Sequence, residues 1–286
     1  MILITGETGK LGTVVIQNLL KKIPAGQIAA FVRDEGKAAA FRESGIDVRV
    51  GSYDDIGSLD RAMLGIDKVL LISGTEKDKV QQHRNVIEAA KRAEVELVAY
   101  TSRIVKNQDP SNPLMADHFA TEEILINSGL IYALLRNSLY MDVIPLFVGG
   151  DKVFETGIHL PAGDGKVSFA LRSELGEASA NLLAEDNSPQ SKIYNLTAGE
   201  AWSYYDVAKA LTEISGREVT YTPIEKPEFE ARMRERGLPE PAIQMSLHFH
   251  TEVRNGLLDE VSPEMERLLG RKPASLPAGL KTLFRV

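Results

Sequence analysis

Thr5-Gly6-Glu7-Thr8-Gly9-Lys10-Leu11-Gly12 separates a short apolar run from a stretch that carries Leu11, Val14, Val15 and Leu19 on one helical face. Glycines spaced Gly-x-x-Gly-x-x-Gly between a strand and a helix suit a loop that cradles pyrophosphate. Gly6 permits the tight turn, Gly9 lets backbone approach the phosphates, and Gly12 lets helix and strand pack closely. The helix start adds free N–H groups and a partial positive charge. Three glycines alone would describe a plain turn equally well; the strand before and the helix after them decide. Gly6, Thr8, Gly9, Lys10, Leu11 and Gly12 are therefore predicted to hold a dinucleotide. No Gly-Lys-Ser/Thr closes the motif, so it is not a Walker-type loop.

The end of the next strand chooses the cofactor. An acidic residue there suits the free ribose of NAD, whereas Arg suits a 2′-phosphate. Here the chain reads Phe31-Val32-Arg33-Asp34-Glu35-Gly36-Lys37. Arg33 and Lys37 predict NADPH over NADH. The competing reading is a solvated pair of cations beside Asp34 and Glu35.

Other constellations that could do chemistry are sparse. His248 and His250 stand two apart without a nearby third ligand, which points to packing and not to metal. Ser102 has no triad partners. Asp54-Asp55 and Glu122-Glu123 read as helix-start charges, not as acid–base couples. The 286 residues contain no cysteine, which removes disulfides, thiolate metal sites, iron–sulfur clusters and thiol catalysis. With 33 basic and 40 acidic residues the net charge is −7 and the isoelectric point about 5.4, a poor match for nucleic acid or an anionic membrane. Met1 runs directly into Ile2-Leu3-Ile4-Thr5, with no basic leader segment, and the longest apolar run, Leu130 to Leu135, is far too short to span a bilayer. A cytoplasmic protein, monomer or homodimer, acting on a small molecule is expected.

The elements that must position these residues alternate. Strands are predicted at Ile2 to Thr5, Ile28 to Val32, Val48 to Val50, Val69 to Ile72, Leu97 to Thr101 and Ile131 to Leu135. Helices fall between them at Lys10 to Lys22, Lys37 to Ser44, Ile56 to Leu64, Lys79 to Ala93 and Asp117 to Asn127. Unbroken apolar strands separated by helices imply a parallel sheet buried on both faces, with ligands beyond the strand C-termini. The fold class is thus α/β, a Rossmann-type doubly wound parallel sheet with a smaller C-terminal substrate lobe. Residues 1–137 are expected to form the NAD(P)-binding domain, joined by a later strand near 193–197, and 138–286 mostly the lobe.

Thr-Gly-x-Thr-Gly-x-Leu-Gly at residues 5–12, Val32-Arg33 and Leu135-Arg136-Asn137 resemble the NmrA-like branch of atypical short-chain dehydrogenases, nearest to its bacterial members that reduce quinones and triphenylmethane dyes. Further matching words are Leu70-Leu71-Ile72-Ser73, Gln82-His83-Arg84-Asn85-Val86-Ile87, Ala99-Tyr100-Thr101-Ser102, Thr121-Glu122, Ala162-Gly163-Asp164-Gly165-Lys166 and Tyr194-Asn195-Leu196. The resemblance implies NADPH across the strand ends. Gly6 to Gly12 would hold the pyrophosphate, Arg33 the 2′-phosphate, and Ser73, Gly74 and Thr75 would pass the ribose and adenine side. Thr101, Ser102 and Asn137 would sit by the nicotinamide, and Tyr140 would begin the substrate wall. Tyr140 reads equally as a ring that stacks on a flat acceptor and as a core aromatic. Two positions depart from the family. Glu7 replaces the usual Ala and brings a carboxylate toward phosphate unless it faces solvent or pairs with Lys10. Ser52 replaces an Asp that often contacts adenine.

The superfamily's Tyr-x-x-x-Lys pair is missing: Leu114 stands at the tyrosine place and His118 at the lysine place. Reversible alcohol–ketone chemistry is therefore not expected. A quinone is a strong hydride acceptor that needs little beyond positioning. His118 could donate a proton or bond the quinone oxygen, or be a plain helix-start histidine beside Asp117. The expected function is NADPH-dependent reduction of quinones or similar electron-poor aromatics; the alternative is a non-catalytic NmrA-type sensor that regulates a protein partner. An enzyme handling thiol-alkylating quinones would also gain from having no cysteine.

Overall fold

Ile2, Leu3, Ile4 and Thr5 are all buried, and this run forms the centre of a sheet. The computed structural model describes residues 1–6, 8–109, 112, 115–185 and 188–286, with Lys37 and Gln108 described by backbone alone. Glu7 and Leu114 lie outside the described residues, as does anything expected of them.

In chain order the first elements are β1 (Ile2–Thr5), α1 (Lys10–Leu19), β2 (Ile28–Val32), α2 (Ala39–Glu43), β3 (Asp47–Val50), α3 (Ile56–Ala62), β4 (Lys68–Leu71), α4 (Lys79–Arg92), β5 (Leu97–Arg103), α5 (Ala116–Ile126) and β6 (Tyr132–Asn137). After these come α6 (Ile144–Val148), α7 (Val153–Thr156), β7 (Ile158–Leu160), β8 (Lys166–Val167), α8 (Arg172–Ala184), β9 (Lys192–Leu196), β10 (Trp202–Ser203), α9 (Tyr204–Ser215) and β11 (Tyr221–Pro223). Four helices close the chain: α10 (Lys226–Glu235), α11 (Glu240–Arg254), α12 (Glu264–Leu269) and α13 (Leu276–Phe284).

The main sheet has seven strands in the order β3-β2-β1-β4-β5-β6-β9, and the pairings from β3 through β6 are all parallel. The chain order reverses between β1 and β4, as in doubly wound folds. Two strands run past their apolar segments: Ser102 pairs with Arg136 and Arg103 with Asn137. Polar residues can continue a buried strand here because Glu122 of α5 meets the Arg136 guanidinium through two contacts, of 3.0 and 2.6 Å. A hydropathy pattern cannot show that partner.

Two compact units result. The first comprises 1–103, 109–137 and 172–195, so α8 and most of β9 belong to the same unit as the sheet. In it α8 lies against α1 at Gly176, where a Cβ would come within 2.5 Å of the Val14 side chain. The second comprises 104–108, 138–171 and 196–286. It holds an antiparallel pair, β8 with β10, and a parallel pair, β7 with β11. Its α9 begins in a capping box between Ser203 and Asp206. Among the described residues no helix is long and apolar enough to cross a membrane.

Candidate functional site

The site is built at the C-terminal ends of the first unit's strands, and it starts with Thr5. Its hydroxyl donates to the Leu70 carbonyl at 3.2 Å and accepts the Ile72 N–H at 3.1 Å, locking the ends of β1 and β4 together. Gly6 follows at φ +63°, with a Cβ there brought within 3.1 Å of the Ile72 Cβ. Any side chain would be strained by both backbone and neighbour. Gly9 caps α1 with no side-chain partner on the helix N-terminus and no acidic residue in the first turn. Among the described residues no side chain caps the leading N–H groups of α1, and a free helix start is the arrangement that attracts phosphate.

The loop after β4 is held by side chains. Four consecutive backbone N–H groups each find one acceptor: Ile72 on Thr5 Oγ1, Ser73 on Thr101 Oγ1 at 2.9 Å, Gly74 on His83 Nε2 at 3.1 Å and Thr75 on Glu76 Oε2 at 3.1 Å. Glu76 also accepts from Arg33 at 2.8 Å, and this guanidinium holds its carboxyl below the ordinary carboxylate range.

Together these loops line one cavity of about 290 Å³. Gly6, Thr8, Gly9, Arg33, Ser73, Gly74 and Thr75 all border it, joined by Phe31, Ser52, Tyr53, Asp54, Glu76 and Gln82. Phe31 and Tyr53 form a parallel stack at 5.8 Å, a flat wall of the kind that suits a base. Ser52 borders the cavity too, although its hydroxyl accepts the Asp54 N–H at 3.2 Å. Lys10, Leu11 and Gly12 form the first turn of α1; Lys10 is exposed while Leu11 and Gly12 are buried. Lys37 has no described side chain, so its expected part in holding the 2′-phosphate lies outside the described residues.

The remaining expected residues fall at the ends of β5 and β6. Thr101 accepts the Ser73 N–H through its hydroxyl oxygen. Ser102 and Asn137 are buried, and among the described residues the Ser102 hydroxyl and both amide atoms of Asn137 have no hydrogen-bond partner. Orphaned polar atoms of this kind cost stability, and these two residues stand at the ends of the paired strands β5 and β6. Tyr140 belongs to the second unit, where it is half-buried and its backbone bridges to Ala170.

His118 lies on α5 with Nδ1 3.0 Å from the Tyr100 hydroxyl. Burial, then the charges of Lys79 and Arg103, bring its pKa down to about 4. The ring is therefore neutral at pH 7. Burial likewise pushes the Tyr100 phenol upward. Other expectations divide. His248 is exposed and His250 fully buried against Phe147, Phe229 and Tyr204, and no cluster of metal-ligating side chains occurs among the described residues. Asp55 does cap a helix, accepting the Ser58 N–H at 3.1 Å. Glu122 is no helix-start charge; it is the buried partner of Arg136.

Sequence reasoning passed over Glu76, and it read His83 only as part of a matching word. The first has no motif, and the second touches a loop nine residues away.

The model of the NmrA-like family matches residues 1–277. Quinone oxidoreductase 2 of Escherichia coli K12 is 37% identical, covering 100% of this chain and 99% of that one. The structure of an E. coli NADPH-dependent quinone oxidoreductase complexed with NADPH superposes with a TM-score of 0.90 at 36% identity, over 99% of this chain and all of that one. Citrobacter sp. triphenylmethane reductase complexed with NADP(H) gives 0.91 at 35%, with the same coverage.

Proposed function

The chain belongs to the NmrA-like family, and on that premise we propose that it is an NADPH-dependent oxidoreductase of quinones and similar electron-poor aromatic acceptors. The observation that carries this is the cavity that gathers Gly6, Gly9, Arg33 and Ser73 to Glu76 beside the N-terminus of α1, which no described side chain caps. Its chemistry fits the cofactor: backbone N–H groups for pyrophosphate, a guanidinium for the 2′-phosphate, a stacked aromatic wall for the base. The end-to-end likeness to reductases supports an enzyme over a non-catalytic sensor.

NADPH, when bound, supplies the hydride. The protein's part is to bind and orient. Gly6 to Gly12 hold the pyrophosphate, Arg33 and Lys37 the 2′-phosphate, and Ser73, Gly74 and Thr75 border the adenosine side. Thr101, Ser102 and Asn137 serve the nicotinamide end, with the unpartnered Asn137 amide and Ser102 hydroxyl as the support for that assignment. Tyr140 is assigned to the acceptor. His118, neutral at pH 7, contributes a hydrogen bond, and the proton that completes the reduction comes from water. In this reading residues 1–137 with the returning strand form the cofactor domain and 138–286 mostly the substrate lobe. The protein acts in the cytoplasm on a small molecule, without nucleic acid or membrane insertion, as a monomer or homodimer.

The test is NADPH absorbance followed with a benzoquinone, a naphthoquinone and a triphenylmethane dye. Oxidation with at least one is expected. Tight NADPH binding without oxidation of any would overturn the enzyme and favour the sensor.

A further inference from the structure

We propose that Glu76 is a specificity-determining residue for the cofactor, its carboxylate standing on Arg33 as an internal substitute for the 2′-phosphate and accepting the free 2′-hydroxyl when NADH binds instead. This rests on the assignment of Arg33 to that phosphate.

The contact is specific on both oxygens. Glu76 Oε1 takes Arg33 at 2.8 Å and Oε2 takes the Thr75 N–H at 3.1 Å, so the carboxylate is fixed by one partner from the end of β2 and one from the loop after β4. Both residues line the same cavity. The other described acids on that wall, Asp34 and Asp54, are turned to different work. Asp34 Oδ1 accepts the Gly36 N–H at 2.8 Å, and Asp54 accepts from Gln82.

Two consequences follow from charge. A 2′-phosphate that reaches Arg33 must share the guanidinium with Glu76 or displace it, and in either case lies beside its negative charge. A cofactor with a free 2′-hydroxyl leaves the ion pair intact and can donate to the carboxylate. That is the role an acidic residue at the end of the second strand plays in NAD-selective folds. Here the acid arrives from β4, opposite the cation, and the same cavity offers one partner to each cofactor. The Arg33 guanidinium also keeps Glu76 ionised across the neutral range.

Arg33 is 71% and Glu76 40% exposed, so water screens the pair and the effect is modest. A pair of this kind corresponds to about 2- to 5-fold in affinity. The experiment titrates NADPH and NADH separately by nicotinamide fluorescence into the intact protein, E76Q, R33A and the double variant. Glu76→Gln keeps an acceptor for the Thr75 N–H and removes only the charge. It is expected to tighten NADPH by about 2- to 5-fold and to leave NADH unchanged or weaker, with the gain shrinking as salt is added. In the R33A background the gain should disappear. An unchanged NADPH/NADH ratio in E76Q, while R33A still costs NADPH far more than NADH, overturns the proposal and spares the 2′-phosphate assignment. R33A weakening both cofactors equally overturns both.

Discussion

His83 Nε2 accepts the backbone N–H of Gly74 at 3.1 Å, and this one contact fixes the tautomer of a fully buried ring. With Nε2 as acceptor the proton sits on Nδ1, which donates to Thr121 Oγ1 at 3.0 Å; Thr121 passes its own proton to the Asp117 carbonyl at 2.8 Å. The ring therefore ties the cavity loop to α5 from its seat on α4. Burial, then Lys79, bring its pKa to about 4, so the acceptor nitrogen stays unprotonated at neutral pH.

His83→Ala should therefore loosen the loop as well as empty a core position. The abandoned Gly74 N–H and Thr121 hydroxyl cost about 1–3 kcal/mol each if water does not reach them. The expected outcome is a lower urea midpoint together with weaker NADPH binding. His83→Gln, which can still accept from Gly74, should recover part of the binding. Loss of stability with unaltered NADPH affinity would leave the ring a packing residue only.

Asn137 behaves in the opposite sense. Its amide is buried with neither atom bonded among the described residues, so the free protein bears the cost of desolvating it. Asn137→Leu is nearly isosteric and removes the unmet groups. We expect its melting temperature to hold or rise while NADPH oxidation with a quinone falls at least tenfold. A destabilised protein with normal turnover would show that the amide has a structural partner in solution.

The contrast between these two residues shows what a sequence can disclose. The six parallel strands, the loop at Gly6 to Gly12 and Arg33 were legible because each is local: an apolar run, a glycine spacing, a residue one step past a strand. Asn137 entered only through a matching word, and no local pattern shows that its amide is buried without a described partner. Glu76, His83 and the Glu122–Arg136 pair were not legible as site or core contacts, because their partners lie 43, 9 and 14 residues away. Glu122 was misread for the same reason: two adjacent acids near a helix start look solvated until Arg136 is placed opposite one of them.

That pair supports a third prediction. Arg136 meets Glu122 in a two-point contact, with side chains only 10% and 4% exposed. Removing one partner strands the other charge in the core, at a cost of about 3–5 kcal/mol. Glu122→Ala should therefore lower the urea midpoint sharply. The double variant Glu122→Leu/Arg136→Met should recover most of the loss, because no charge is then left unpaired. Equal destabilisation by the single and double changes would show that the contact itself supplies the stability.

His118 yields a kinetic prediction. A group with a pKa of about 4 does not change charge near neutrality, so quinone reduction should show no ionisation from this ring between about pH 5.5 and 8. His118→Asn should leave the shape of the pH–rate profile unchanged and reduce the rate only mildly. A step near the ordinary histidine range that disappears in the variant would make the ring the proton donor after all.

The same shift governs acid stability, with a definite sign. His83, His118 and His250 each have a native pKa of about 4, burial being the first cause in every case, against about 6.5 in an unfolded chain. Between those values the unfolded state binds protons that the native state refuses. Stability is therefore indifferent to these rings above about pH 6.5 and falls as pH drops from there toward about 4. Each ring contributes a slope of up to about 1.4 kcal/mol per pH unit within that window. Urea unfolding from neutral pH down to about 5, where most carboxylates remain ionised, isolates the effect. His250→Phe is the informative variant, since the ring already packs edge-on against Phe147 at 4.8 Å and beside Phe229 at 5.6 Å. It should remove one ring's share of the slope while keeping the aromatic cluster filled. A slope unchanged by this substitution would mean that His250 takes up its proton in the native state at ordinary pH.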